Sequence, residues 1–299
     1  MKIGVDVGYS HTKVWTKNGG SNFKSTIQEG ILDVCNSIHV QYLGKDYTIG
    51  ENSDTSLYDN NVNKIDSLNF KLCLFTAIAM SMGKDKFIDN DVKIVTGLPA
   101  SYYNSQKDDL INELKDKSVT IVLNGEPKSF TIKEVIVFPQ SAGVLLLEPE
   151  KLRGDVCVID VGGFTVDVAY FNNKKLKKLE TFELGMNILG KALVTEIKNE
   201  HGIAYDVLRA DDLLDSQVIY IKGEHVEIDT LIDKILKQHT GLILNRLESI
   251  KEFNVSKRIW IGGGSLRLAN NIGQKLDKDT IYTNAKAFYT LGVSKFGKN

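Results

Sequence analysis

One short pattern occurs twice in this chain. Val5-Asp6-Val7-Gly8 followed by Thr12-Lys13-Val14 is echoed by Ile159-Asp160-Val161-Gly162 followed by Val166-Asp167-Val168. Aligning Asp6 with Asp160 brings Val7, Gly8 and Val14 onto Val161, Gly162 and Val168, an offset of 154 in a chain of 299 residues. Each copy reads as a strand, a glycine-bearing turn and a second strand. Glycine lets the turn backbone approach a ligand closely, and successive turn N–H groups make a concave anion site. The aspartate that closes the first strand cannot favourably touch a phosphate. It can hold Mg²⁺, through water, and the metal offsets phosphate charge. Two such hairpins facing each other could clamp a nucleotide polyphosphate between two domains. One such hairpin alone reads as an ordinary turn; the repeat at half-chain spacing, with the segments below, favours the clamp.

The rest of the chain alternates strands and helices. Lys2 to Trp15 and Val40 to Ile49 read as hairpins, the second turning at Gly44-Lys45-Asp46. Phe70 to Met82 reads as a buried helix ended by Gly83, and Ser105 to Lys115 as an amphipathic one with Leu110, Ile111 and Leu114 on one side. Val92 to Leu98 and Glu134 to Phe138 read as strands, and Val119 to Leu123 with Ser129 to Ile132 as a hairpin around Asn124-Gly125-Glu126. Ser141 to Leu147 opens a helix, Val156 to Phe171 forms a hairpin turning near Gly162-Gly163, and Asn187 to His201 is helical. Asp229 to Phe253 predicts one long helix with Leu231, Ile235, Leu242 and Leu247 facing the core. Arg258 to Ile261 is a strand leading to Gly262-Gly263-Gly264, with a helix from Ser265. This pattern is α/β, and Glu148 to Gly154 is the best place for a boundary between halves.

Two further segments carry chemistry. Phe138-Pro139-Gln140-Ser141-Ala142-Gly143 lies between the two hairpins, at a strand end opening a helix. A glutamine there can hydrogen-bond a water without taking its proton, the water-positioning role of nucleotide hydrolysis. By itself the segment reads as a strand-to-helix turn; its place between two phosphate hairpins is what favours the other role. The glycine triplet after Ile261 permits a flat purine and its α-phosphate to pack closely near a helix start. It is not a P-loop, because no Gly-Lys-Ser/Thr follows, and it lacks the dinucleotide-binding spacing. Thr96-Gly97-Leu98-Pro99 reads as structural.

Bulk properties exclude several classes. A net charge of −1 gives no global pull toward DNA or an anionic membrane. Leu72 to Met82 is too short to span a bilayer. Asp6 interrupts the apolar run near the start, so no signal peptide is expected. Cys35, Cys73 and Cys157 are scattered and are expected to be reduced; the five histidines show no ligand spacing.

Hairpin, strand-Pro-Gln-Ser-Ala-Gly, hairpin, strand-Gly-Gly-Gly: this order resembles the phosphate-1, connect-1, phosphate-2 and adenosine motifs of the actin superfamily, from Ile3 to about Gly292. Within it the chain looks most like bacterial plasmid-segregation proteins of the ParM type. Gly97-Leu98-Pro99 followed by Tyr102-Tyr103, the short length and Val137-Phe138-Pro139-Gln140-Ser141 point there. The resemblance implies an actin-like fold of two ribonuclease-H-like α/β domains around a nucleotide cleft, the first comprising residues 1–150 plus 285–299 and the second 151–284. It implies that Asp6 and Asp160 flank Mg²⁺, and that Gly8, Tyr9, Ser10, Thr12 and Lys13 grip phosphate. Gly162, Gly163, Phe164 and Thr165 would form the second grip, Gly262, Gly263, Gly264 and Ser265 would touch the nucleoside, and Gln140 with Asp160 would serve hydrolysis. ParM-type proteins often carry Glu where Gln140 stands, so a direct general base is not implied.

The implied activity is slow hydrolysis of ATP, with GTP as the alternative, timing the disassembly of a filament in a cytoplasmic, DNA-partitioning role. The implied partners are other copies of the chain and a DNA-binding adaptor, with no direct DNA or membrane contact. Two other readings remain: a small-molecule kinase of the same superfamily, for which Asp91 could be the base though nothing frames it as a substrate site, and a non-polymerising nucleotide-binding scaffold.

Overall fold

The computed structural model describes residues 1–32, 37–50, 57–58 (backbone), 66–82 and 90–297. Cys35 and Gly83 lie outside the described residues. The first ten strands are β1 (Lys2–Val7), β2 (His11–Thr16), β3 (Gly19–Lys24), β4 (Thr26–Glu29), β5 (Ile38–Tyr42), β6 (Lys45–Ile49), β7 (Leu57–Tyr58), β8 (Asp91–Leu98), β9 (Lys117–Leu123) and β10 (Glu126–Pro139). They form one sheet in the order β3-β2-β1-β8-β10-β9-β5-β6-β4-β7. A second sheet, in the order β13-β12-β11-β16, joins β11 (Asp155–Val161), β12 (Val166–Asn172), β13 (Lys175–Phe182) and β16 (Lys257–Ile261), while β14 (Val218–Ile221) and β15 (Glu224–Glu227) form a separate hairpin.

The sequence echo is an echo of topology. β1 pairs antiparallel with β2, Asp6 opposite Lys13, and parallel with β8 on its other side. β11 pairs antiparallel with β12, Asp160 opposite Asp167, and parallel with β16. Both strands are buried along nearly their whole length. That is why they read as continuous apolar runs broken only by an aspartate.

Helices cover these sheets. α1 (Leu68–Ser81) is buried around most of its circumference and starts at Ser67, whose Oγ accepts the Phe70 N–H at 2.9 Å. α2 (Tyr103–Leu114) buries Leu110 and Leu114. After the short α3 (Val144–Leu147), α4 (Met186–His201), α5 (Ala210–Ser216) and α6 (Asp229–Glu248) contribute to a second core with Ile159, Val166 and Trp260. α7 (Lys251–Val255), α8 (Gly262–Arg267) and α9 (Thr283–Lys295) complete the chain.

Three expectations change. The predicted long helix breaks: α6 stops at Glu248, Ile250 turns extended and buried, and α7 restarts at Lys251. Leu242 is 52% exposed, so it lies off the core face that holds Leu231, Ile235 and Leu247. The two strands expected over 129–132 and 134–138 are one strand, β10. It pairs antiparallel with β9 through Ile132 and parallel with β8 from Thr131 onward, and a bulge between Ile132 and Glu134 shifts its register against β8. The third change is at the glycine triplet: α8 begins at Gly262 itself, not at Ser265.

α9 crosses back from the second sheet onto β1 and β8. It fits because small residues line its bed. A Cβ on Gly4 would lie 2.2 Å from the Ala285 carbonyl oxygen, one on Gly97 2.6 Å from the Phe288 ring, and one on Gly143 2.8 Å from the Ala287 methyl. Gly4→Val should therefore lift α9 and lower the unfolding free energy by about 3 kcal/mol, the upper end for overpacking. Gly241, inside α6, meets nothing within 4 Å. Gly241→Ala should raise stability by about 0.5–1 kcal/mol through helix propensity. Urea unfolding midpoints of the two variants should move in opposite directions.

Candidate functional site

The two glycine turns meet. In the first, the Gly8 N–H donates to the His11 carbonyl at 3.2 Å; in the second, the Gly162 N–H donates to the Thr165 carbonyl at 2.8 Å. A Cβ on Gly163 would fall 2.5 Å from the Ser10 Cβ, so only glycine permits this approach. Beside it the Tyr9 and Phe164 rings stack at a tilt with centroids 5.0 Å apart. The turns open onto one cavity of about 310 Å³, the lower end for a small-molecule pocket.

At its back stand two buried carboxylates, Asp6 (3% exposed) and Asp160 (8% exposed), one from each sheet. Asn284 of α9 lies between them, its Nδ2 2.7 Å from Asp160 Oδ2 and 3.5 Å from Asp6 Oδ2. Asn284 Oδ1 is buried without a hydrogen-bond partner among the described residues. Gln140 Nε2 donates to Asp6 Oδ1 at 2.6 Å. A carboxylate only accepts, so the amide NH₂ must face Asp6, and Oε1 is left to accept from another donor such as water. Lys13 Nζ lies 4.0 Å from Asp6.

Burial, and then the neighbouring Asp6 charge, push the Asp160 carboxyl up to about 7; Asp167 adds to this, while Lys13 and the Asn284 amide oppose it. Three carboxylates with one lysine among them make a site short of positive charge. The donors at its back are oxygens, the ligand type a hard cation such as Mg²⁺ prefers. Among the described residues no group of three or more His, Cys, Asp or Glu side chains could enclose a metal by itself. The residues thus fit a cation completed by water or by ligand oxygens. His11, whose Nδ1 is 2.9 Å from Ser10 Oγ, is held at a pKa of about 4 by burial and by Lys13 and Lys24, so it is neutral at pH 7.

The glycine triplet divides into distinct roles. Gly262 has φ +88°, and a Cβ there would lie 2.2 Å from Asp160 Oδ1; a Cβ on Gly264 would lie 2.4 Å from Val161 Cγ1. Both permit β16 and α8 to pack on β11. Gly263 lines the cavity, and a Cβ there would meet only Ile281 Cγ2, at 4.0 Å.

Of the residues singled out from sequence, Asp6, Gly8, Tyr9, Ser10, Lys13, Gln140, Asp160, Gly162, Gly163, Thr165, Gly263 and Gly264 share this cavity. Thr12, Phe164, Gly262 and Ser265 do not line it. Thr12 is fully buried and bonds Ser25 Oγ at 2.9 Å. Gly97, read as structural, also shapes the site: a Cβ there would press on Gln140 Cγ at 3.2 Å.

Sequence reasoning missed the outer wall. Lys24 of β3 pairs with Asp212 of α5 at 3.3 Å, and both line the cavity. Arg267 pairs with Asp215 at 2.6 Å, and Asp211, Met186 and Ile281 complete that side. The Asp211-Asp212 pair reads in sequence as an ordinary acidic helix start. Asn284 carries no local signal at all.

Two family models match the chain: the N-terminal domain of the actin-like proteins over residues 4–143, and the MreB-like C-terminal domain of the archaeal actin homologues over residues 158–274. Solved structures of similar fold include Ta0583, an archaeal actin homolog, in complex with ADP (22% identity over 97% of this chain and 98% of that chain, TM-score 0.81). They include a non-polymerisable quadruple mutant of pCBH ParM (23% identity, 98% and 99% covered, TM-score 0.83). A third is the 15-stranded ParM filament from Clostridium botulinum (22% identity, 98% and 99% covered, TM-score 0.83). At these identities the likeness is one of fold. No curated protein matches the sequence.

Two outcomes follow from the site's geometry. In the unfolded chain Asp160 titrates at its ordinary 3.8, and in the folded one at about 7. Between those values the folded state holds a proton that the unfolded state has lost. Asp160 therefore costs the ligand-free protein stability progressively as pH rises from about 4 to about 7, and no further above that. Asp160→Asn cannot ionise, so its melting temperature should gain on wild type across that window and then run parallel; a constant difference would refute the titration. Gly263→Val should fill the cavity without disturbing the fold. Its melting temperature should stay near wild type while its affinity for a fluorescent ATP analogue falls by at least about tenfold.

Proposed function

We propose that this chain, which matches an actin-like N-terminal model over residues 4–143 and an MreB-like C-terminal model over residues 158–274, is a nucleotide-dependent, filament-forming actin-like protein that hydrolyses ATP, or GTP, to time filament disassembly. The observation that carries this reading is the meeting of two glycine turns and two buried aspartates, one set from each sheet, around one cavity. A polyphosphate there would lie between the N–H groups of the Gly8–Ser10 and Gly162–Thr165 turns, with Lys13 as the cationic contact. Asp6 and Asp160 would hold Mg²⁺, which when bound offsets phosphate charge. Gly263 would face the nucleoside. Gln140, held by its bond to Asp6, would orient the attacking water through Oε1 and would not take its proton.

In this reading the first domain comprises residues 1–150 and 285–299 and the second 151–284, with the nucleotide controlling closure between them. α9 and Asn284, which reach from one sheet to the aspartate of the other, support such coupling. Likeness to ParM structures, one of them a filament and one a non-polymerisable mutant, supports self-association. It also motivates a cytoplasmic role in plasmid or DNA segregation with a DNA-binding adaptor. Among the described residues no helix is long and apolar enough to cross a membrane.

The test uses Gln140→Ala. Nucleotide binding should persist, and phosphate release should slow by about 10²-fold, the low end for losing a positioned transition-state interaction. Light scattering after ATP and Mg²⁺ addition should show normal assembly and delayed disassembly. Polymers that decay at the wild-type rate despite slowed phosphate release would refute the timer, and absence of any polymer from the wild-type protein would refute the filament.

A further inference from the structure

Asp167 is a third buried carboxylate of the cavity wall, 3% exposed, and the hydrolytic reading gives it no task. Its hydrogen bonds join the two halves of the molecule. Oδ2 accepts from Thr165 Oγ1 at 2.9 Å, within the second glycine turn. Oδ1 accepts from Thr181 Oγ1 of β13 at 2.5 Å and from the backbone N–H of Ala100 at 2.9 Å. Ala100 belongs to the segment that leaves β8. Next to it, the Ser101 N–H donates to Thr181 Oγ1 at 3.0 Å, so the same junction is held twice.

The other end of that segment is bonded to Gln140, to which the hydrolytic reading gives the positioning of water. The Gln140 N–H donates to the Leu98 carbonyl at 2.9 Å, and Pro139 stands opposite Leu98 in the sheet. Only Pro99 separates Leu98 from Ala100, and its ring locks φ. The segment between the Asp167 anchor and the Gln140 anchor is therefore short and stiff. A carboxylate bonded to a backbone N–H and two hydroxyls is also a strong anchor, since charge-assisted hydrogen bonds are about twice as strong as neutral ones.

We infer that Asp167 is a positioning residue for hydrolysis: through the Leu98-Pro99-Ala100 segment it sets Gln140 in register with the Gly162–Thr165 turn, so that the water is held in line with the phosphate gripped by the opposite half. The inference rests on the hydrolytic reading of Gln140. It assigns Asp167 to the alignment of the reacting groups and not to the hold on the nucleotide. Loss of Asp167 should slow the chemical step and spare ground-state binding, because a displacement of about 1 Å at the reacting groups costs up to about 10²-fold in rate.

The experiment is a double-mutant cycle with Asp167→Ala and Gln140→Ala, read by single-turnover phosphate release and by the affinity for a fluorescent ATP analogue. Asp167→Ala alone should slow release by about 10- to 100-fold with affinity within about threefold of wild type. In the Gln140→Ala background it should add less than about a twofold effect, because the group it positions is gone. If Asp167→Ala does not fold, Asp167→Asn carries the same cycle: it keeps the shape and one acceptor oxygen and replaces the other by an amide donor. Equal slowing in both backgrounds, a wild-type rate in the single variant, or loss of affinity that accounts for the slowing would each overturn the inference. A wild-type rate in Gln140→Ala alone would instead overturn the hydrolytic reading on which it stands.

Discussion

Two carboxylates from opposite sheets, Asp6 and Asp160, face a shared space, and a single amide, Asn284, reaches both. Burying a carboxylate, and then setting a like charge beside it, raises the free energy of the ligand-free state, and the elevated Asp160 pKa reports that cost. The rest of the architecture serves to hold this unfavourable pair. β1 and β11 are buried on both faces, so the aspartates cannot turn to solvent. Asn284 arrives on α9, and α9 can approach β1 only because Gly4 carries no side chain. A fold that accepts such a conflict marks that place for a ligand that resolves it.

Much of this was legible because its signals are local. The hairpin with an aspartate before a glycine turn needs only a few consecutive residues, and its second copy turned a weak motif into a constraint on the whole chain. Gln140 was legible from Pro-Gln-Ser-Ala-Gly for the same reason. What escaped was long-range. Asn284, Lys24 and Arg267 enter the site through packing between elements distant in sequence, and nothing in their neighbours announces it. Local pattern also misled where helical periodicity runs on through Ser249 and Ile250, across the break between α6 and α7. It misled again at β10, where a bulge let one strand pass for two.

The glycine triplet shows how one motif conceals several constraints. Gly262 yields space to a carboxylate and Gly264 to a neighbouring strand, while Gly263, where a Cβ would meet only Ile281 at 4.0 Å, yields space to the cavity that it lines together with Gly264. Sequence inspection assigned all three to one purpose, because absence of a side chain looks the same whatever it makes room for.

The position of Asn284 also bears on how the molecule is made. Asp6 and Asn284 stand 278 residues apart in sequence. During synthesis the N-terminal strand and its aspartate are exposed long before α9 exists, and domains fold roughly in order of emergence. Until that helix docks, a nascent chain carries both glycine turns and both acidic groups without the amide that links them. Closing so long a loop comes late and slowly. Asn284 therefore joins the acidic centre only after both aspartates have been synthesised, and a copy that stops before α9 lacks the bridge between its halves.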